Sequence, residues 1–290
     1  MEMESDMATE TAEKKADRLV EAQGDVVYFH KRYARLLLLT VLVVIGVLAA
    51  LMVWQDIRYE RSDTDRLQQH FDEYVHIVNG RFSQLWHEML ELQASSQATL
   101  FESRNSRQLM PYSFRFLKGD PQGRAFHLDD VGPPLVKTDI GNLTGDGTIK
   151  GRSNDFYREI AMALRLMVDF DSLSDTIPNL EWIYYYSRDY FAVYYPWTPS
   201  VKTRFEKASY QLSAWSLGLP ENNPRRAPYW TETYFDSVGK GLMVSCLVPV
   251  YDENQFAGVI GADLSVDFIN DLVTDFEPGR KGLFVLYDQF

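Results

Sequence analysis

Residues 242–251 (LMVSCLVPVY) and 256–264 (FAGVIGADL) are two apolar, β-branched runs separated by Asp252-Glu253-Asn254. Runs of that length, bounded by turn residues, read as paired antiparallel strands. A second pair lies upstream, where residues 181–187 (EWIYYYS) and 191–195 (FAVYY) are joined by Arg188-Asp189-Tyr190. Residues 155–170 (DFYREIAMALRLMVDF) carry apolar side chains at helical spacing, with Ser153 or Asn154 as the cap and Pro178 as the stop. Beyond the 242–264 pair, Ser265 caps a short helix that carries Val266, Phe268, Ile269 and Leu272 toward the sheet. The fold class is α+β, an antiparallel sheet flanked by helices.

The connecting segments are less regular. Residues 201–226 read as polar and helical at first, then looped around Gly218, Pro220 and Pro224. Residues 106–151 hold Pro111, Gly119-Asp120-Pro121, Gly132-Pro133-Pro134 and Gly145-Asp146-Gly147, which predicts irregular structure with one short strand. At the far end Gly279-Arg280-Lys281-Gly282 breaks the chain and residues 282–287 (GLFVLY) begin another strand. A strand without a following partner cannot complete its ladder, so Phe290 reads as a truncation and residues 279–290 as the start of an incomplete subdomain.

Upstream of the sheet, residues 36–55 (LLLLTVLVVIGVLAALMVWQ) carry no charge over about twenty positions, the length a helix needs to cross a bilayer. Lys31, Arg32 and Arg35 crowd the N-terminal flank, whereas Arg58, Arg61 and Arg66 alternate with acids. That bias places residues 1–35 in the cytoplasm and the remainder outside. A cleaved signal peptide is the rival reading, but its apolar region is shorter and ends in small residues, where this chain has Trp54, Gln55 and Asp56. Residues 56–105 contain no proline and set Leu67, Phe71, Val75, Val78, Phe82, Leu85, Met89 and Leu92 at helical spacing. They read as one amphipathic helix of about 45 residues, close to 70 Å long. It serves as a spine along the folded domain or as a seam between two protomers; the aromatic residues Phe71, Tyr74, Phe82 and Trp86 favour the spine.

Composition narrows the function classes. With 46% hydrophobic and 24% charged residues the part outside the membrane is a folded domain, and a net charge of −12 argues against a nucleic-acid partner. Cys246 is the only cysteine, which excludes an intramolecular disulfide and a cysteine-rich zinc site and suits a bacterial envelope protein. His70, His76 and His87 have no pair at the i, i+4 spacing a helix uses to hold a metal. No cofactor is expected.

Three segments carry a family resemblance: Trp230-Thr231-Glu232-Thr233-Tyr234-Phe235-Asp236, then Val248-Pro249-Val250-Tyr251-Asp252, then Phe256-Ala257-Gly258-Val259-Ile260-Gly261-Ala262-Asp263-Leu264-Ser265. Together with the order of elements, they resemble the double Cache (PDC-like) extracytoplasmic sensor domains of bacterial transmembrane receptors. The resemblance implies a membrane-distal sensor domain over residues 106–278, with residues 279–290 opening the membrane-proximal one. In amino-acid-binding members, the equivalents of Tyr234 and Asp263 hold the ligand's amino group. Trp230, Asp236, Tyr186 and Trp215 complete the candidate ligand contacts. The Arg-x-Trp-Tyr segment that grips a ligand carboxylate in those members has no match here, which argues against an α-amino acid and leaves an amine, another small metabolite or no ligand at all.

Blander roles compete at each position. Asp263 equally suits a cap for the helix that begins near Ser265; Tyr234 and Trp230 suit a core, and Asp236 suits a turn. Tyr184, Tyr185, Tyr186, Tyr194 and Tyr195 alternate across the sheet, so about half point away from any pocket. The resemblance implies the input module of a transmembrane signalling protein in the bacterial inner membrane, with a small-molecule ligand and a homodimeric partner. Its output domain, a diguanylate cyclase or a sensor histidine kinase, would follow the chain. A chemoreceptor ligand-binding domain and a non-sensing dimerisation protein are the alternatives. A membrane-anchored enzyme lacks support: no G-x-S-x-G, H-E-x-x-H or P-loop occurs, and His127 with Asp129 and Asp130 is the best acid/base cluster.

Overall fold

The computed structural model describes residues 2–104 and 110–267, the side chains of 2–36, 59–65 and 67 excepted. The chain forms two units, Met1–His70 and Phe71–Phe290. Helix α1 (Glu2–Glu102) is one element that includes the tail, the apolar run and the amphipathic stretch. Within the first unit, Leu37–Arg58 is long and apolar enough to cross a membrane, and none of it is buried in protein. The strand expected at 282–287 and the helical positions Phe268, Ile269 and Leu272 lie outside the described residues.

In the second unit the strands are β1 (Lys118–Gly119), β2 (Ala125–His127), β3 (Asn142–Asp146), β4 (Leu180–Ser187), β5 (Phe191–Tyr195), β6 (Tyr229–Trp230), β7 (Tyr234–Phe235), β8 (Leu242–Asp252) and β9 (Gln255–Ser265). They form one antiparallel sheet in the order β1-β2-β3-β5-β4-β9-β8-β6, with β7 also on β8. Both expected hairpins are present, and β4 pairs with β9 to join them at the centre. The 106–151 segment is more regular than its turn residues imply. It contributes three strands instead of one, because Leu143 and Thr144 pair with Val193 and Ala192 of β5 and become fully buried there. The helix expected at the start of 201–226 is also absent: that stretch is a turn followed by a 3-10 segment at Lys207–Gln211 and the single helical turn α3 (Ser213–Ser216).

Helix α2 (Asn154–Thr176) begins where the sequence places it, with Ser153 Oγ accepting the Phe156 N–H at 3.1 Å, but continues one and a half turns further, to the residues just before Pro178. Strand alternation then sorts the sheet's side chains. Ile183, Tyr185, Val193, Cys246, Val248 and Ile260 face a core completed by Leu85, Met89 and Leu92 of α1 and Phe156, Ile160 and Phe170 of α2. Trp182, Tyr184, Tyr186, Leu247 and Val259 face the opposite side, which the 196–241 segment covers through Phe205, Ala214 and Trp215.

The distal part of α1 is fixed to the sheet by polar contacts as well as by its apolar stripe. Gln93 Nε2 donates to Pro249 O at 2.7 Å and to Arg226 O at 3.0 Å, and Gln97 Oε1 accepts the Tyr251 N–H at 3.1 Å. Asp252, at the β8–β9 turn, pairs with Arg104 at 2.9 Å and with Arg158 of α2 at 2.7 Å. The strand β8 is therefore tied to both helices.

Close approach at the centre of the sheet requires glycine at position 258. A Cβ there would meet the Tyr186 carbonyl oxygen and lie 2.8 Å from the Tyr185 hydroxyl. The β4 backbone cannot retreat without opening its ladder with β9. Gly258→Ala is expected to cost about 3 kcal/mol, read as a lower urea midpoint with an unchanged slope; a wild-type midpoint would show that the ladder accommodates the methyl group.

Candidate functional site

Three cross-strand neighbours define the floor of a cavity on the loop-covered face: Trp182 of β4, Asp263 of β9 and Ser245 of β8 stand directly opposite one another. In the next row Tyr184 lies opposite Gly261. A Cβ at Gly261 would fall within the Tyr184 ring, so this glycine is what lets the ring lie flat across β9. Tyr194 of β5 pairs with Tyr184, and its hydroxyl donates to that of Tyr186 at 3.3 Å. The cavity has a volume of about 520 Å³, the size of a small-molecule site. Beyond the sheet it is walled by Val201, Lys202, Thr203, Arg204 and Glu206, by Ser209 and residues 212–214, and by residues 234–238.

The 196–206 wall is held from behind by the strands that the sequence reading missed. Asn142 Nδ2 donates to Thr198 O at 2.7 Å, and Thr144 Oγ1 donates to Thr203 O at 3.1 Å while accepting the Phe205 N–H at 3.0 Å. Asp129 accepts from Ser200 N at 2.8 Å and from Ser200 Oγ at 2.6 Å. Burial works against the charge on Asp129, but the bonds from Ser200 and Asn142 outweigh it and hold its carboxyl below the usual range. His127 Nδ1 lies 3.2 Å from Asp129. The best acid/base cluster in the sequence thus acts as a staple for the cavity wall: Ser200 bonds to the carboxylate, not to the imidazole.

Asp263 is the electrostatic centre of the site. It is 5% exposed, and Ser245 Oγ donates to its Oδ1 at 2.7 Å. The Tyr234 hydroxyl lies 2.9 Å from Ser245 Oγ, and Thr231 Oγ1 accepts the Ser245 N–H at 3.0 Å. Burial pushes the Asp263 carboxyl up to about 6, against the opposing pull of the Ser245, Tyr234 and Tyr184 hydroxyls. Its side chain does not cap the following turn; there Ser265 Oγ accepts the Asp267 N–H at 3.2 Å.

Of the six residues singled out by sequence, Asp263, Tyr234, Asp236 and Tyr186 line the cavity. Asp236 combines this with a turn, its Oδ2 accepting the N–H groups of Val238 at 3.0 Å and Lys240 at 2.9 Å. Trp230 and Trp215 are not among the residues that line the cavity. Trp230 packs against Phe82 of α1, with ring centroids 4.8 Å apart, because its position on β6 turns it toward the helix-covered core. Trp215 is buried between Tyr210 at 4.2 Å and Phe256 at 5.2 Å and supports the wall from outside the cavity. The sequence reading passed over Trp182, Tyr184 and Tyr194; their alternation was visible, but only register against Asp263 shows which parity faces the site. A lone buried carboxylate in a wall of tyrosines favours an organic cation, through charge pairing and contact with the ring faces.

Residues 170–271 match the family described as methyl-accepting chemotaxis protein-like, first PDC sensor domain. The match supports a sensor domain of the PDC, or Cache, type over these residues. The match runs from the C-terminal half of α2 through β9 and includes the whole floor of the cavity. A solved structure titled "The ligand binding domain of Mlp24 with asparagine" is similar at 18% identity over 37% of this chain, with a TM-score of 0.27. The chain spans 46% of that structure. No curated protein matches the chain.

A second carboxylate is buried in the PDC domain. Glu159 of α2 accepts from the Tyr185 hydroxyl at 2.8 Å and from Ser187 Oγ, and burial raises it to about 7. Both carboxyls are raised above their unfolded values of 3.8 and 4.5. Each therefore favours the folded state fully below its unfolded value, and that contribution is lost as pH rises through about 6 for Asp263 and about 7 for Glu159. Without ligand, Asp263→Asn and Glu159→Gln are each expected to stabilise the protein at pH 8 by roughly 1–3 kcal/mol and to leave it unchanged near pH 4. Thermal melts across this range check the sign; a stability loss in both variants at pH 8 would contradict it.

Proposed function

We propose that this chain is the input half of a bacterial transmembrane signalling protein whose PDC domain binds a small organic ammonium compound. The carrying observation is Asp263, a buried carboxylate whose described partners are hydroxyl groups and whose surroundings are Tyr184, Tyr186, Tyr194 and Tyr234. Burying a charge without a counter-charge is costly, and a ligand ammonium supplies the missing one. Lys202 and Arg204 on the opposing wall would suit a ligand that also carries a carboxylate, which keeps amino acids alongside amines.

In this reading residues 1–35 are cytoplasmic, as the basic flank at Lys31, Arg32 and Arg35 favours, the apolar segment crosses the inner membrane, and the sensor domain over 106–278 lies in the periplasm. A homodimer is the working state. The output is a chemoreceptor signalling domain, a diguanylate cyclase or a histidine kinase; the chemotaxis-like family match supports the first at least as well as the others. Ligand contact at Asp263 has a short physical route to α1. Ser245, bonded to Asp263, is on β8, and the same strand holds Gln93 and Gln97 of α1 through Pro249 and Tyr251.

Calorimetric titration of the full chain in detergent with primary amines and amino acids tests the proposal. The expected result is binding that weakens as pH falls through about 6, where Asp263 takes up a proton, and that drops roughly 100-fold in Asp263→Asn. Binding indifferent to Asp263→Asn would defeat it, and a cavity that takes no amine would favour the non-sensing dimerisation protein.

A further inference from the structure

Four buried side-chain polar atoms among the described residues have no hydrogen-bond partner: His127 Nδ1, Arg152 Nε, Asp252 Oδ1 and Trp182 Nε1. Three of these groups are otherwise compensated. His127 lies 3.2 Å from Asp129, Asp252 is paired with Arg104 at 2.9 Å, and the Arg152 guanidinium sits 4.2 Å from the Phe156 ring centre. Trp182 is different. It is 6% exposed, it lines the cavity, and its indole N–H is a donor only, so it can be satisfied only by an acceptor brought to it.

The surroundings fix that indole in place. Lys240 Nζ lies 4.1 Å from the ring centroid and is itself held by the Glu181 carbonyl at 2.8 Å and the Glu181 carboxylate at 3.0 Å. A cation on the ring face also draws electron density from the indole, which strengthens the N–H as a donor. Trp182 and Asp263 are direct cross-strand partners, and such side chains rise from one sheet face about 5 Å apart at Cβ. A donor without an acceptor and a carboxylate without a cation therefore stand side by side on the floor.

We propose that Trp182 is a specificity-determining residue: its indole N–H receives an oxygen acceptor of the ligand, a few bonds from the ammonium group held by Asp263. The ligand class is a vicinal amino-oxygen compound, such as an amino alcohol, amino ether or amino carbonyl compound, in preference to a plain alkylamine. This rests on the ammonium reading above and adds a second point of recognition to it.

Isosteric pairs test it without an identified ligand. Ethanolamine against propylamine, and 2-methoxyethylamine against butylamine, differ by one oxygen at nearly constant size. Titrated into the full wild-type chain, the oxygen-bearing member of each pair is expected to bind roughly tenfold tighter. Trp182→Phe should bring the two members of each pair to within about twofold of one another, whatever it does to the affinity of both. In ¹⁵N-labelled protein the indole signal missing from Trp182→Phe should move downfield with ethanolamine and not with propylamine, a readout that needs no variant to bind. Equal affinities within each wild-type pair overturn the proposal. If those equal affinities are still lost in Asp263→Asn, the ammonium reading survives; if no amine binds the wild type, both fall.

Discussion

The ladder β4–β9–β8 is the constraint on which the rest of the PDC domain depends. Because side chains alternate along a strand, one register decides which residues become core and which become site. In the observed register, Tyr185, Ile260 and Val248 close against α1 and α2, while Trp182, Asp263 and Ser245 are aligned in a row beneath the loops. A slip of one position would put Asp263 into an apolar core beside Leu85 and Met89 and turn Ile260 toward the cavity. The two glycines of β9 protect this register from different neighbours: Gly258 from the backbone of Tyr186, Gly261 from the ring of Tyr184. Function and stability thus share a single geometric parameter.

Such sharing has a cost, and Asp263 shows where it falls. The hydroxyls of Ser245, Tyr234 and Tyr184 solvate the carboxylate only in part, so burial still raises its pKa to about 6. At neutral pH the empty site holds a charge that the protein would be more stable without. Asp129 provides the contrast. It accepts three hydrogen bonds, from Ser200 N, Ser200 Oγ and Asn142 Nδ2, and its carboxyl stays below the usual range. Each carboxylate has three donors beside it, but Asp129 keeps 27% of its side chain exposed and Asp263 is 5% exposed on the floor of a cavity. The depth of burial, more than the number of donors, separates the staple from the site.

Much of this was legible in the sequence. The β-branched and aromatic runs at 181–195 and 242–264 gave both hairpins, Ser153 gave the start of α2, and the three motif segments led to Asp263, Tyr234 and Asp236. What failed did so for reasons that lie outside local pattern. β2 and β3 were hidden because their residues sit among glycines and turn residues, and their strand character comes from pairing, β3 with β5 and β2 with β3. Trp230 and Trp215 were chosen for residue type, but neither lines the cavity: Trp230 on β6 packs against Phe82, and Trp215 is buried against Tyr210 and Phe256. Trp182 carried no motif at all. Its significance arises from standing opposite Asp263, 81 residues away in the chain and adjacent on the sheet.

The same ladder explains how a cavity on one face can influence a helix on the other. β8 meets the floor at Ser245 and, four and six residues along, meets α1 at Pro249 and Tyr251 through Gln93 and Gln97. Gln93 bonds through its buried amide to carbonyl oxygens of both Pro249 and Arg226, so it cannot follow a shift in one without straining the other. Asp252 repeats the arrangement at the hairpin end, joining Arg104, just past the end of α1, to Arg158 of α2. Buried polar contacts of this kind are costly to leave half-made, which makes the helix–strand interface prefer discrete arrangements over gradual sliding. In the proposed sensing function, a strand fixed at several points would pass a displacement of Ser245 to α1 as a change in which of those bonds is satisfied.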